Sequence, residues 1–421
     1  MISHNEEIPR VVITGIGLLA SVGDTREQVW QAVRAGRSKM SWLSGIPEIP
    51  DDLMIGATCD LPQLRLGKLK VIELCERAAE EAMSDAGLFP GAFNGDRFGC
   101  AISAHMGDCQ FILEQNNRLD WIPPGKPPWI EQWLPNTSCM RIANRYGLFG
   151  PRLCHSTACA SGMIDFISAV RSIQDDQCDL ALAGSGEAIS PLFAAGFHRM
   201  KVLATHADPQ QACRPFDIDR CGFVMGEGAA MFVVERLSHA LRRGAPIYAE
   251  VLAHTARADA HHVTGLDQDS DSLAYVINTT LKQAKLVPRD IAYINAHGTG
   301  TQLNDVTEAR AIRRAMGFDA NRVGVSSVKS VLGHLINAAG SVELAITTLA
   351  LRDGFAPPTM NLHRPDPQCD LDCLPMIGRA EQFEHALKLS VAFGGHLAAV
   401  ALRRWNDEVT GFAYPSLTRA A

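Results

Sequence analysis

Cys154-His-Ser-Thr-Ala-Cys-Ala-Ser-Gly162 sets a thiol among small residues, directly before Met163, Phe166, Ile167, Val170 and Ile173 at helical spacing. A cysteine at a turn into a helix meets unpaired backbone N–H groups and the positive end of the helix dipole. Both lower a thiol's pKa, and the thiolate is the nucleophile. A free cysteine is also a common small core residue, so this segment alone leaves both readings of Cys159 open. In Ile291-Ala-Tyr-Ile-Asn-Ala-His-Gly-Thr-Gly-Thr-Gln-Leu-Asn-Asp305, His297 ends an apolar strand and enters a Gly/Thr loop, where open sheets present ligand sites. Asp305, with Glu308 three residues on, reads as an N-cap and capping box for the next helix. Val325-Ser-Ser-Val-Lys-Ser-Val-Leu-Gly-His334 places Lys329 and His334 at a strand end, before an Ala/Gly-rich segment and Glu343. Taken singly, such a Lys and His are more often ordinary surface residues than functional ones.

These groups need elements to hold them. Arg10-Val-Val-Ile-Thr-Gly-Ile-Gly17 reads as a buried strand running into a glycine turn. Further strands are predicted at 180–184, 229–235, 247–253, 291–296, 323–327 and 387–393, and helices at 69–86, 162–175, 272–285, 305–316 and 338–352. Alternating strands and helices predict a parallel-containing α/β architecture with helices covering the sheets. The pattern repeats in the two halves without a residue-level repeat. Residues 120–135 combine five prolines with Trp121, Trp129 and Trp133, which excludes a regular element and predicts a loop packed on something.

The 421 residues are 47% hydrophobic and 20% charged, ordinary globular composition with enough apolar mass for a sizeable core. A formal net charge of -7 argues against binding nucleic acid through overall charge. The twelve cysteines are scattered without a Cys-x-x-Cys pair, so no metal site is expected. The acidic N-terminus is unlike a signal peptide, and the apolar runs are too short to span a bilayer. The expectation is a cytoplasmic protein with reduced thiols and no membrane contact.

Together, Thr157-Ala-Cys-Ala-Ser-Gly162, Asn295-Ala-His-Gly-Thr-Gly-Thr301 and Lys329…Gly333-His334 with Glu343 resemble β-ketoacyl-acyl-carrier-protein synthases of the elongating branch. Arg214-Pro-Phe-Asp-Ile-Asp-Arg-Cys-Gly-Phe-Val-Met-Gly-Glu-Gly-Ala229 and the ending Val391-Ala-Phe-Gly-Gly-His396 are similar too, so the resemblance runs over about residues 9–404. It implies a thiolase fold, two similar α/β halves (1–245 with the nucleophile, 246–421 with the histidines) forming a five-layered αβαβα body. It also implies a decarboxylative condensation: Cys159 carries the acyl thioester and His297 and His334 stabilise the malonyl-derived enolate. Backbone N–H groups of Cys159 and Phe393 would form the oxyanion hole, and Lys329 with Glu343 would orient the histidines. Thr299 and Thr301 would contact the phosphopantetheine arm, Gly394 would bind substrate, and Met106 would line the acyl pocket.

No cofactor beyond the carrier-borne phosphopantetheine is implied. The implied partners are an acyl carrier protein and either a second copy or a related subunit. Arg65, Lys68, Lys70, Lys126 and Lys201 are candidate docking residues for the acidic carrier. Val391 and Ala392 before Phe393, His396 after the glycines, and the Pro/Trp segment depart from the elongating pattern. They point toward a specialised polyketide or polyene pathway. A non-catalytic chain-length-factor-like partner is the alternative reading, opposed by the presence of Cys159 and both histidines.

Overall fold

A computed structural model of the chain describes residues 8–46, 49–62, 64, 68–104, 132 and 134–406. Arg65, Met106, Trp121, Lys126, Trp129 and Trp133 lie outside the described residues.

Ten strands form one sheet: β1 (Val11–Ala20), β2 (Phe98–Ala104), β3 (Arg152–Leu153), β4 (Leu180–Glu187), β5 (Gly228–Arg236), β6 (Ala249–Ala258), β7 (Ile291–Asn295), β8 (Gly324–Ser326), β9 (His385–Ala392) and β10 (His396–Arg404). Their order across the sheet is β8-β7-β9-β10-β6-β1-β5-β4-β2-β3. Read outward from the β6/β1 seam, each half repeats one plan. Its first strand pairs antiparallel with its fifth, the fifth antiparallel with its fourth, and the fourth and third flank the second in parallel. This is the duplication that the spacing predicted. The seam itself is short: Val11, Val12 and Ile13 face Val251, Glu250 and Ala249.

Helices α2 (Ser161–Gln174) and α5 (Ala339–Asp353) form the middle layer. Phe166, Val170 and Ile173 pack with Val342, Ile346 and Leu349 in a core that both halves line. A helix buried all round must be apolar or small wherever it has no polar partner; residues 339–351 of α5 are buried throughout, and their one charged residue, Glu343, is paired with Lys329 and Lys388. The two helices cross tightly because Gly162 and Gly340 let them: a Cβ on Gly162 would lie 2.9 Å from Ser341 N, and one on Gly340 would lie 2.6 Å from Met163 Cγ. Outside, α1 (Lys70–Asp85) covers β1 and β5 through Leu74, Ala78 and Ala82. On the opposite face α3 (Asp271–Ala284) and α4 (Gln302–Met316) cover the second half through Ile277, Leu281 and Ile312. The result is the five-layered αβαβα arrangement.

Candidate active site

Cys159 sits in one turn of 3-10 helix, Ala158–Ala160, between β3 and α2. Ser161 Oγ cinches that turn, accepting from the Thr157 N–H at 2.9 Å and donating to the Ala158 carbonyl at 2.8 Å. Ala158 takes φ +48°, a left-handed conformation that costs energy for any residue bearing a Cβ and is typical of a turn that aims a side chain. The thiol is buried, and burial pushes it up to about 12, with Lys329 pulling the other way. The expectation of a lowered thiol pKa is therefore overturned. A helix end contributes about 1 kcal/mol, whereas removing a thiolate from water costs several times that. Alkylation of Cys159 by iodoacetamide should accordingly rise about tenfold per pH unit from pH 7 to 10. A plateau near pH 7 would contradict this.

His334 follows the single helical turn Lys329–Leu332. Its backbone is clamped by strand-like bonds, the N–H donating to Val224 O at 2.6 Å and the carbonyl accepting from Gly226 N–H at 2.9 Å. The ring then reaches Cys159, Nε2 to Sγ 3.1 Å. Nδ1 accepts the Ile336 N–H at 3.3 Å, so the ring proton must stand on Nε2. Ile336 holds φ +40° to deliver that N–H, an unfavourable angle for a β-branched residue.

His297 lies just past β7, its ring centroid 5.3 Å from that of His334 and nearly perpendicular to it. Lys329, fully buried, donates to the His297 carbonyl, lies 3.3 Å from its Nδ1, and pairs with Glu343 at 2.5 Å. An ammonium on Nδ1 leaves the His297 proton on Nε2 as well. Burial first, and then Lys329, hold both imidazoles well below their usual range, so each is a neutral N–H donor at physiological pH.

Asp305 and Glu308 do not cap a helix. The N-cap of α4 is Thr301, and both carboxyls lie inside the helix, fully buried. Glu308 accepts the N–H groups of His297 at 2.6 Å and Gly298 at 2.7 Å, while Asp305 accepts those of Phe216 and Gly300. They shape the histidine loop. The expected N-cap and capping box are therefore overturned, because the loop and Phe216 N–H groups compete better for the carboxylates than the helix terminus does.

Cys159, His297 and His334 open on one cavity of about 310 Å³, which Thr299, Thr301 and Phe393 also line. Its apolar wall is Phe197, Met200, Phe223, Leu266 and Ile336, none singled out from sequence because each reads as core. Phe393 and Gly394 form the turn between β9 and β10, with Gly394 exposed at φ +83°. The docking residues fare unevenly. Lys68 is paired with Glu73 and Glu76, both at 2.5 Å, and Lys70 with Glu227, so neither is the free surface cation expected. A buried or nearly buried carboxylate outcompetes solvent for them. Lys201 is exposed between Met200 and Val202, both at the cavity wall.

A buried thiol beside two neutral imidazole donors, on a duplicated αβαβα body, defines an acyltransferase of the thiolase fold. The β-ketoacyl synthase N-terminal domain matches residues 69–240 and the C-terminal domain residues 248–363. The chain is 37% identical, over 96% of its length and 99% of the relative's, to the tetracenomycin polyketide synthase ketoacyl synthase alpha subunit of Streptomyces glaucescens. It is 36% identical, over 96% of its length and all of the relative's, to 3-oxoacyl-(acyl-carrier-protein) synthase 2 of Synechocystis sp.. A solved type II polyketide acyl-carrier protein in complex with its ketosynthase bound to the hexaketide superposes with a TM-score of 0.87 and 31% identity, covering 95% of this chain and all of the other. The chain belongs to the β-ketoacyl synthase family. Among the described residues no helix is long and apolar enough to cross a membrane.

Proposed function

We propose that the protein joins an acyl group held on Cys159 to a malonyl group on an acyl carrier protein, releasing CO2. The observation that carries this reading is the 3.1 Å approach of His334 Nε2 to Cys159 Sγ, with His297 beside it in the same cavity. In loading, the thiol attacks the acyl thioester carbonyl, and its proton leaves with the departing carrier thiol. The nucleophile thus splits one difficult step into two. Malonyl then loses CO2, and the electrons of the broken C–C bond form an enolate whose oxygen accepts from both Nε2–H groups. Neutral donors fixed before the reaction stabilise that charge without reorganising. The enolate carbon attacks the enzyme thioester, the C–S bond breaks, and the thiolate is reprotonated from solvent.

Lys329 and Glu343 act by holding His297, and Phe393 N–H with Cys159 N–H by binding the oxyanion. Thr299 and Thr301 take the phosphopantetheine arm, Gly394 binds substrate, and Lys201 is the docking cation that the geometry favours. The two halves divide near 245/246. The chain works as a dimer with itself or with a related subunit, the relative named an alpha subunit supporting the second arrangement. The chain-length-factor-like role is not favoured, because nucleophile and both histidines are present. The chain is about equally similar to polyketide and fatty-acid synthases, and the altered sequence around Phe393 is what supports a specialised polyketide or polyene pathway. Purified protein given acyl and malonyl carrier should release CO2 and form 3-oxoacyl carrier in equal amounts. Absence of both with competent carriers would overturn the assignment.

A further inference from the structure

One buried cation is not used by the chemistry above. Lys388 lies in the middle of β9 among apolar neighbours, with no solvent exposure. Its ammonium donates to the backbone carbonyls of Leu389 and, at 3.5 Å, of Asn295, and lies 2.8 Å from Glu343 Oε2. The other oxygen of Glu343 holds Lys329 at 2.5 Å. One carboxylate is therefore bracketed by two ammonium groups. The first stands behind His297. The second stands on the strand that runs on into the Phe393 turn, in register with Asn295 on β7.

Charges around the imidazoles can be counted element by element. The turn after β8 supplies Lys329, β9 supplies Lys388, α5 supplies Glu343 and α4 supplies Glu308, all buried. On β7, Tyr293 is a phenol that burial keeps neutral, and on β4 Glu187 faces the cysteine side, where it accepts the Asn337 N–H at 3.1 Å. Asp305, also buried on α4, has its own partner in Arg220 at 3.6 Å, and the four remaining charges beside the histidines sum to zero. Without Lys388 the cluster holds one uncompensated negative charge, and the most basic neutral groups beside it are the imidazoles. A proton taken up there would sit on His297 Nδ1, opposite the Lys329 ammonium now 3.3 Å away. The ring would have to turn, and its Nε2–H would lose its aim.

Resting on the ketosynthase reading, we propose that Lys388 is a positioning residue: its fixed charge completes the balance of Lys329, Glu343 and Glu308 and so keeps His297 and His334 as neutral Nε2–H donors. The electrostatics agree in direction. After burial, Lys329 and, at His297, the neighbouring imidazole, Lys388 also pushes both rings down; burial lowers Lys388 itself, and Glu343 is the main group acting against that.

The test is the pH dependence of CO2 release from malonyl carrier by wild type, Lys388→Met and the double variant Lys388→Met/Glu343→Gln. Lys388→Met should lose activity on the acid side at a midpoint about one pH unit higher than wild type, the scale of one neighbouring charge. The double variant, charge-balanced again, should be slower at all pH because Lys329 has lost its partner. Its acid midpoint should nevertheless return toward that of wild type. A Lys388→Met profile that is merely lower, with the acid limb unmoved, overturns the proposal, and so does a double variant whose limb stays raised. Should Lys388→Met be recovered unfolded, melting temperature and soluble yield decide. Charge balance requires the double variant to be the more stable of the two, whereas a packing role makes it the less stable. Wild-type protein that releases no CO2 would count against the ketosynthase reading alone, and the stability comparison would still judge Lys388.

Discussion

Cys159→Ala should reduce acyl loading from stoichiometric to undetectable. The thioester needs a thiol at the cavity floor, and no other cysteine among the described residues lines that cavity. Cys100 and Cys139 are buried against one another with 3.4 Å between sulfurs, and Cys221 is exposed elsewhere. Their thiols cannot substitute. The variant should fold, since alanine deletes one sulfur from a small cluster with Ala160, Phe223 and Ile336 and costs about 1–2 kcal/mol. Intact mass after incubation with acyl carrier reads the result directly. An adduct of undiminished yield would remove Cys159 from the mechanism.

His297→Ala and His334→Ala should each still self-acylate yet lose condensation by a factor on the order of 10² or more, the effect of removing one oxyanion donor. Loading rests mainly on the thiol and the backbone donors, whereas in the proposed decarboxylation charge develops on an oxygen that both rings address. The two variants should therefore accumulate the acyl-enzyme, visible by mass, while CO2 release falls. Condensation at the wild-type rate in either variant would sink the role given to that ring. His334 also touches Sγ at 3.1 Å, so its loss should slow loading more than loss of His297 does.

What the sequence disclosed depended on how local each cause was. Runs such as Val11-Val-Ile and Ile291-Ala-Tyr-Ile are apolar enough to announce buried strands, and Phe166, Val170 and Ile173 mark α2 by spacing alone. Strands β2 and β10 escaped, because Phe98-Gly-Cys-Ala-Ile-Ser-Ala and His396-Leu-Ala-Ala-Val-Ala-Leu are built largely from small residues with little strand preference. They become strands by lying between others. Cys159, His297 and His334 were legible as motifs, but their meeting was not, since 175 positions separate the thiol from the ring beside it. Lys388 is the instructive omission. A lysine among alternating apolar residues reads as an outward-facing side chain, and only the position of Glu343, on a helix 45 residues earlier in the chain, makes its burial possible.

The seam between β1 and β6 has a consequence for biosynthesis. Cys159 belongs to the first five strands and both histidines to the second five, while His334 is held by backbone bonds to Val224 and Gly226 across the divide. A nascent chain that has released only its first half thus exposes a thiol with no partner imidazoles and no completed cavity. Among the described strands β9, with the Phe393 turn, and β10 come last in sequence, so the cavity that Phe393 lines is complete only once they have docked.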